Sequence, residues 1–196
     1  MKINFRQAEF VVGAASLAQV PDDGLPHVAF AGRSNVGKSS LLGALTGTKR
    51  LVKTSATPGK TRELNFFRVG GALHLVDFPG FGYAKFSKEE RARISKLIGD
   101  YAAKCDRLRG IVYLVDLRTE GTALDLQNVV ALGESGVPML IVGTKGDKLG
   151  TEARAKAIEA IRGKFELEDD PMWVSSRTGE GVEELREAIG GALDEA

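Results

Sequence analysis

The hydrophobic positions of the chain form short apolar runs, separated by longer stretches in which apolar residues recur every three or four positions. The runs at 28–31, 110–116 and 137–143 are nearly continuous, as is typical of parallel strands that are buried on both faces. The spaced pattern, seen across 94–102 and 182–193, predicts amphipathic helices. Strands that alternate with helices predict an α/β fold in which helices cover both faces of a mostly parallel sheet.

One hairpin interrupts this alternation. Residues 63–69 and 72–77 have the pattern of strands, and the glycines between them, Gly70 and Gly71, predict a tight antiparallel turn. Together with the apolar runs and a last short strand at 171–175, these segments predict a six-stranded sheet with one antiparallel strand.

The length of 196 residues favours one domain. We place this domain at 23–196 and expect residues 1–22 to form a lead-in that packs on it, with a short strand or packing arm near Phe10. The stretches 49–62 and 78–86 lack an apolar period and are predicted to be loops.

The first predicted strand runs into a glycine-rich stretch, Gly32-Arg33-Ser34-Asn35-Val36-Gly37-Lys38-Ser39, that opens a predicted helix. Strand, loop and helix in this order match the phosphate-binding loop, or P-loop. Gly32 and Gly37 allow the backbone to come close to phosphate, so that successive N–H groups point at its oxygens. Lys38 can neutralise the β- and γ-phosphates, and the Ser39 hydroxyl can occupy one position on Mg²⁺.

A second polar segment, Asp77-Phe78-Pro79-Gly80, ends the third predicted strand. Ligands of a doubly wound sheet bind at the carboxyl ends of its strands, which places this segment beside the P-loop. Asp77 can hold Mg²⁺ through water, and the backbone N–H of Gly80 can meet a γ-phosphate.

Two further segments at strand ends predict recognition of guanine. Thr144-Lys145-Gly146-Asp147 ends the fifth strand, and the Asp147 carboxylate can accept from both N1–H and the N2 amine of guanine. Adenine offers no such pair of donors. The Lys145 stem can lie across the face of the base. Ser175 and Ser176 end the last strand, where backbone N–H groups can donate to the guanine carbonyl oxygen.

The composition of the chain also bears on its cellular location. No apolar run approaches the roughly 20 residues of a membrane span, and the first residues lack the apolar stretch of a signal peptide. The single cysteine, Cys105, excludes an internal disulfide. These features predict a cytoplasmic protein with no membrane partner, and a monomer is the default expectation.

The net charge is only +1, but it is unevenly distributed. Residues 1–110 carry 18 Lys/Arg against 9 Asp/Glu, whereas residues 111–196 carry 9 against 17. Such asymmetry favours an anionic partner for the basic half. The alternative is an uneven solvated surface with no partner.

The motifs resemble one family closely. The P-loop with Ser40, Thr57-Pro58-Gly59-Lys60-Thr61, Asp77-Phe78-Pro79-Gly80-Phe81-Gly82-Tyr83 and Thr144-Lys145-Gly146-Asp147 are similar to the EngB/YihA/YsxC family of bacterial GTPases. This family is a branch of the TrmE–Era–EngA–EngB–Septin-like P-loop GTPases, and the resemblance covers about residues 8 to 193. It implies a Ras-like GTPase domain that acts in assembly of the large ribosomal subunit and is linked to normal cell division and septation.

The resemblance also implies roles for individual residues. Thr61 would be the switch I threonine on Mg²⁺, so that Ser39, Thr61 and Asp77 form the metal site, and residues 59–63 would close over the γ-phosphate. Lys38, Thr61 and Gly80 are the candidate catalytic residues. The predicted contacts of GTP or GDP are Gly32, Arg33, Ser34, Asn35, Val36, Gly37, Lys38, Ser39, Ser40, Gly59, Lys60, Thr61, Arg62, Glu63, Asp77, Phe78, Pro79, Gly80, Thr144, Lys145, Gly146, Asp147, Val174, Ser175 and Ser176.

Three residues shape the expected mechanism. Phe81 follows Gly80 where many GTPases carry a glutamine that orients the attacking water, which predicts slow intrinsic hydrolysis. Thr144 stands where an asparagine is more usual, which suggests modest nucleotide affinity. An asparagine at the position of Asn35 helps to bind K⁺ in related GTPases, so we predict that K⁺ accelerates hydrolysis more than Na⁺ does. Otherwise Asn35 only shapes the loop.

Two other functions use the same loop. A signalling GTPase would recruit a protein effector without ribosome contact, but such chains usually carry glutamine and asparagine where Phe81 and Thr144 stand. An ATP-dependent kinase is disfavoured by Asp147 and by the lack of a segment that would form a substrate lid.

Overall fold

The apolar runs form the centre of a seven-stranded sheet in the computed structural model, which describes residues 3–48, 62–82 and 86–194. The strands are β1 Ala8–Ala14, β2 His27–Gly32, β3 Leu64–Val69, β4 Leu73–Asp77, β5 Leu108–Asp116, β6 Met139–Thr144 and β7 Met172–Val174. Their spatial order is β1-β3-β4-β2-β5-β6-β7. The α/β fold and the hairpin between β3 and β4 are confirmed.

The prediction of six strands was wrong by one, because part of the lead-in joins the sheet. Strand β1 pairs antiparallel with β3, and the register shifts between Phe10 and Val12. Both Phe10 and Val11 are exposed on this edge strand, so its sequence lacks the alternation that marks a strand with one buried face. Strand β3 is antiparallel to both neighbours, whereas every other pairing is parallel, which matches the predicted single antiparallel strand.

The described residues contain five α-helices, which cover both faces of the sheet. They are α1 Lys38–Thr46, α2 Lys88–Lys104, α3 Ala123–Gly133, α4 Thr151–Lys164 and α5 Val182–Asp194. Buried side chains of α2, α3 and α4 join the core on one face, and those of α1 and α5 join the core on the other. None of the helices in the described ranges is both long and apolar enough to cross a membrane.

The sequence sets where α2 begins. The Ser87 hydroxyl accepts from the backbone N–H of Glu90 at 3.1 Å, and the Glu90 carboxylate accepts from the backbone N–H of Ser87 at 3.0 Å. This reciprocal pair satisfies two N–H groups that have no partner inside the helix. Apolar residues on one side of α2 then enter the core, among them Ile94, Ile98 and Tyr101.

Strand β2 occupies the position that makes a binding site. It lies between β4 and β5 and pairs parallel with both, so the chain leaves its carboxyl end where the strand order reverses. In doubly wound sheets ligands bind in the crevice at this point. The P-loop follows β2 directly.

Candidate phosphate and guanine site

The P-loop is a tight connection between β2 and the first turn of α1. The residue that precedes α1 is Gly37, whose φ of 110° lies in the left-handed region that a glycine adopts without strain. Asn35 also has positive φ, at 65°. These conformations bring the loop round to the N-terminus of α1, where free backbone N–H groups and the helix dipole favour an anion.

Lys38 and Asp77 meet beneath the loop. The Lys38 ammonium donates to Asp77 Oδ1, and the two side chains are only 10% and 6% exposed. A carboxylate this buried is stable when it is ionised only if a positive charge compensates it. The pair therefore places both predicted phosphate-site residues together at the carboxyl ends of β2 and β4.

The segment after β4 contacts the P-loop through its backbone. The N–H of Phe81 donates to the carbonyl of Gly32 at 3.1 Å, and the N–H of Ser34 donates to the carbonyl of Phe81 at 3.0 Å. A Cβ atom on Gly80 would lie 3.1 Å from the Cα of Ser34, so only glycine fits there without a shift of the loop. Movement of residues 80–81 is therefore coupled directly to the P-loop.

Two residues of the predicted Asp77-to-Gly80 contact set are part of the core instead. Phe78 is fully buried, and its ring packs edge-on against Tyr101 with centroids 5.8 Å apart. Pro79 is buried as well. These side chains fix the backbone of the segment and leave Asp77 and Gly80 to face the loop.

The oxygen donors near the P-loop fit Mg²⁺. Ser39 is exposed in the first turn of α1, and Asp77 lies at the end of β4. Mg²⁺ at a nucleotide site typically takes one or two protein oxygens and fills the remaining positions with water and phosphate. Within the described ranges, no cluster of three or more His, Cys, Asp or Glu side chains forms a separate metal site.

A cavity of about 280 Å³ opens beside the P-loop, between α1 and the loops that follow β6 and β7. Its lining residues are Gly37, Ser40, Thr144, Lys145, Asp147, Lys148, Ser176 and Arg177. Five predicted nucleotide contacts that lie outside residues 32–39 therefore line one cavity, as a guanine site requires. They are Ser40, Thr144, Lys145, Asp147 and Ser176.

The loop after β6 is bound to the P-loop by side chains. The Thr144 hydroxyl donates to the carbonyl of Val36 at 2.7 Å. The Lys145 ammonium donates to the carbonyl of Asn35 at 2.6 Å and to Asp116 Oδ2 at 2.9 Å. Side-chain hydrogen bonds thus join the P-loop to the loop after β6.

Asp116 was not identified from the sequence, although it ends β5 as Asp77 ends β4. Burial raises the pKa of Asp116, but hydrogen bonds from Arg118 and Lys145 outweigh that effect and hold its pKa below the ordinary value. Its carboxylate accepts from Arg118 Nε at 3.0 Å. The same search for carboxylates at strand ends would have found it.

The loop after β6 needs a glycine at position 146. A Cβ atom there would lie 2.3 Å from Cε3 of Trp173, so the indole ring covers the backbone of Gly146. The Arg154 guanidinium in turn lies over that ring, 4.3 Å from its centroid. The loop that carries Lys145 and Asp147 therefore rests on a supported aromatic surface.

Asp147 is held by two side chains from the loop after β7. Ser175 Oγ donates to Asp147 Oδ1 and Arg177 Nε donates to Asp147 Oδ2, both at 2.8 Å. The hydrogen bond from Arg177 is the largest cause that lowers the pKa of Asp147, burial opposes it, and the bond from Ser175 adds to it. The carboxylate is therefore ionised and ready to accept hydrogen bonds at neutral pH.

The two serines after β7 have different roles. The N–H of Ser175 donates to the carbonyl of Glu180 at 2.9 Å, so it is not free to bind a base. Within the described ranges, the N–H of Ser176 has no hydrogen-bond partner, and Ser176 lines the cavity. Of the two backbone N–H groups predicted to donate to the guanine carbonyl, only that of Ser176 thus remains available, while the Ser175 hydroxyl donates to Asp147. Val174, also predicted as a contact, is a buried residue of β7.

The predicted switch I residues are only partly described. Gly59, Lys60 and Thr61 lie outside the described residues. Arg62 forms an ion pair with Glu90 of α2 at 2.7 Å. Glu63 extends its carboxylate to Gly13 of β1. The structure therefore does not bring Arg62 and Glu63 together with the P-loop.

Comparisons with known proteins identify the family. A family model described as 50S ribosome-binding GTPase matches residues 27–145. The probable GTP-binding protein EngB of Pelotomaculum thermopropionicum is 44% identical over 192 residues, which are 97% of this chain and 96% of that protein. Its counterpart in Syntrophomonas wolfei is 40% identical over 189 residues, with 96% and 98% covered.

Solved structures give the same result for the fold. The crystal structure of a probable GTP-binding protein EngB matches with a TM-score of 0.73 and 26% identity, covering 87% of this chain and 100% of that one. Era in complex with MgGDPNP and nucleotides 1506–1542 of 16S ribosomal RNA matches with a TM-score of 0.66 and 23% identity over 84% of this chain and 55% of that one. The second likeness supports the fold alone. The family resemblance predicted from the motifs is confirmed.

Proposed function

This chain belongs to the EngB family of GTP-binding proteins, and from that membership we propose that it is a Mg²⁺-dependent GTP switch in assembly of the large ribosomal subunit. GTP binding and GTP hydrolysis follow from the family itself. The assembly role, the cytoplasmic location and the link to cell division and septation are the proposed part.

One observation carries the GTP-binding part of the proposal: the loop that contains Asp147 and the P-loop line one cavity and are joined by hydrogen bonds. Asp147 lines the same cavity as Gly37 and Ser40 of the P-loop region, and the Thr144 and Lys145 side chains bind that loop directly. Such an arrangement would select a guanine nucleotide, and its bound phosphates would affect the position of the segment after β4, which is hydrogen-bonded to the P-loop.

The chain's own residues have distinct parts in hydrolysis. Lys38 brings positive charge to the phosphates, and the backbone N–H of Gly80 donates to the γ-phosphate as the segment after β4 moves with the P-loop. Ser39 and Asp77 would hold Mg²⁺, with Thr61 as the proposed third residue. When it is bound, the metal neutralises charge on the phosphate oxygens.

The segment after β4 also explains why we propose slow intrinsic hydrolysis. The Phe81 side chain has no group that could orient a water molecule, and its ring stacks on Tyr113 with centroids 6.4 Å apart. A packed aromatic side chain holds the segment but contributes no proton acceptor. An added cation or a partner would therefore have to supply the catalytic assistance that Phe81 does not provide.

We predict that K⁺, bound with the help of Asn35, supplies part of this assistance to hydrolysis. The test is single-turnover GTP hydrolysis in matched K⁺ and Na⁺ salts, with a higher rate expected in K⁺. Asn35→Gly is the suitable variant, because glycine accepts the positive φ of this position without strain and removes only the side chain. Loss of the K⁺ advantage in that variant is expected. Equal rates in both salts for the unaltered chain would contradict the role.

The basic half of the chain supports a partner rich in RNA. Nine basic residues lie in or beside the two segments that we propose to act as switches, 54–61 and 80–87, namely Lys49, Arg50, Lys53, Lys60, Arg62, Lys85, Lys88, Arg91 and Arg93. Of those in the described ranges, Lys88, Arg91 and Arg93 are exposed on α2. If they contact ribosomal RNA, binding to the subunit or its precursor should weaken steeply with salt. Salt-independent binding would indicate ribosomal proteins as the contact.

The main alternative is a signalling GTPase that recruits a protein effector. Nucleotide competition and subunit binding distinguish the possibilities. Displacement of labelled GDP by GTP but not by ATP is expected, and displacement by ATP would instead favour a kinase. Guanine-specific binding without any affinity for large subunits would favour the effector model.

A further inference from the structure

Asp147 is fixed from two directions by the loop after β7. Ser175 Oγ donates to Oδ1 and Arg177 Nε donates to Oδ2, each at 2.8 Å. Ser175 also accepts from the backbone N–H of Thr178 at 3.1 Å, so its hydroxyl is itself held in place. One donor on each oxygen prevents the carboxylate from rotating.

The remaining acceptor capacity matches a guanine base. An ionised carboxylate offers about four acceptor positions, two on each oxygen. Ser175 and Arg177 use one on each, which leaves one on Oδ1 and one on Oδ2. A base with adjacent N–H donors at N1 and N2 needs that remaining pair in one plane.

We propose that Arg177 is a positioning residue for guanine recognition, which fixes the plane of the Asp147 carboxylate so that both oxygens meet the donors at N1 and N2. This role rests on guanine-nucleotide binding at the same site. Arginine suits it because the guanidinium is planar and directs its N–H groups rigidly, whereas a lysine ammonium is a rotating point charge. Arg177 also lines the cavity, so its side chain lies at the site of binding.

A plain surface ion pair would behave differently. The Asp147 side chain is only 7% exposed, whereas the Arg177 side chain is 65% exposed, so solvent screens the arginine charge and limits what the pair adds to folding stability. The consequence of losing Arg177 should therefore fall on base selection. The lowered pKa of Asp147, caused first by Arg177, agrees with a group poised to accept.

The test compares GDP with inosine diphosphate, which lacks the N2 amine. Arg177→Ala should bind GDP about fivefold more weakly, because a freely rotating carboxylate loses the paired alignment. Inosine diphosphate uses only the N1 donor, so its affinity should change little. The ratio of the dissociation constant of inosine diphosphate to that of GDP should therefore fall. A general loss of P-loop integrity would weaken both nucleotides equally and leave the ratio unchanged.

Two variants complete the experiment. Arg162→Ala removes an equal charge from an exposed pair with Asp170, at 3.3 Å and outside the cavity lining, and should leave the ratio unchanged. Arg177→Lys keeps the charge without the planar group, so the ratio should fall. The proposal would be overturned if Arg177→Ala weakened the binding of both nucleotides equally or made GDP bind more tightly. It would also be overturned if Arg177→Lys kept the same ratio of dissociation constants as the unaltered chain. Failure of the unaltered chain to bind GDP would instead overturn the assigned site.

Discussion

At the scale of single residues, Thr144 connects the loop after β6 to the P-loop. Its hydroxyl donates to the carbonyl of Val36 at 2.7 Å, and the carbonyl of Val115 lies 3.3 Å away. One hydroxyl proton cannot serve both acceptors fully. An asparagine amide would have two N–H donors, so the threonine keeps the link to the P-loop and gives up a second contact.

Thr144→Val is predicted to weaken GDP binding about fivefold. Valine has nearly the same shape but leaves the buried Val36 carbonyl without its donor, so the P-loop conformation that binds the nucleotide becomes about 1 kcal/mol less favourable. Titration with a fluorescent GDP analogue measures the loss. Thr144→Ser retains the hydroxyl and is the matched control, expected to bind within about twofold of the unaltered chain. Unchanged affinity in the valine variant would show that the link does not support the site.

Two ion pairs of the site differ in whether sequence patterns could predict them. Lys38 and Asp77 were predicted to act together because strand ends converge at one edge of a parallel sheet, and the structure pairs them. The contact between Arg177 and Asp147 spans 30 positions in sequence and belongs to no motif. No periodicity marks such a pair, because it depends on how two loops meet in space.

At the scale of elements, the loop after β6 depends on Trp173 for its position. The indole ring lies close against Gly146, and the Arg154 guanidinium lies over the same ring. The motif predicted that this segment reads guanine. It did not indicate that β7 supports the segment, because nothing in the spacing relates Gly146 to Trp173.

Gly146→Ala is predicted to lower the free energy of unfolding by about 1–3 kcal/mol, because the added Cβ overlaps the packed ring. Guanine-nucleotide affinity should fall with it, since the loop carries Asp147. Urea denaturation and GDP titration measure the two effects. Gly163→Ala, inside α4 with open space around it, is the control and should raise stability by up to about 1 kcal/mol. A Gly146→Ala protein as stable as the parent would refute the close contact.

Strand β1 is the element that the sequence predicted least well. Its inner end reaches Ala14, which is fully buried, but its middle residues face solvent. Three consecutive residues in the middle of the strand are exposed, so strict alternation is absent and periodicity alone predicts no more than a short strand or packing arm. The partner strand β3 supplies its hydrogen bonds, and pairing with a distant strand is decided by tertiary structure.

At the scale of the whole molecule, the two ends of β2 have opposite character. The carboxyl end carries the P-loop, and the amino end carries His27, which is fully buried. Its Nδ1 lies 2.8 Å from the Tyr101 hydroxyl, and its ring lies edge-on to His74 with centroids 5.2 Å apart. Burial, followed by the charges of His74 and Arg107, lowers the pKa of His27 to about 4.

This depressed pKa predicts how stability depends on pH. Above pH 6.5 His27 is neutral in both the folded and the unfolded chain and contributes no pH dependence. Between pH 6.5 and about 4 the unfolded chain binds a proton that the folded chain excludes, so stability falls as the pH falls. At pH 5 the loss from His27 should be about 2 kcal/mol.

His27→Asn tests this prediction. Asparagine does not titrate, and its side-chain amide can still reach the Tyr101 hydroxyl. Urea unfolding at pH 7.5 and pH 5.0 should therefore show a smaller acid loss in the variant than in the unaltered chain. The comparison is made within each protein, so a constant cost of substitution cancels. An equal acid loss in both proteins would assign the effect to other groups.

If the molecule acts as a switch, binding of GTP should control its contact with the large ribosomal subunit. Co-sedimentation with purified large subunits in the presence of a non-hydrolysable GTP analogue, GDP or no nucleotide measures this control. We expect the protein to pellet with subunits only when the analogue is present. Equal binding in all three conditions, or none in any of them, would contradict this expectation.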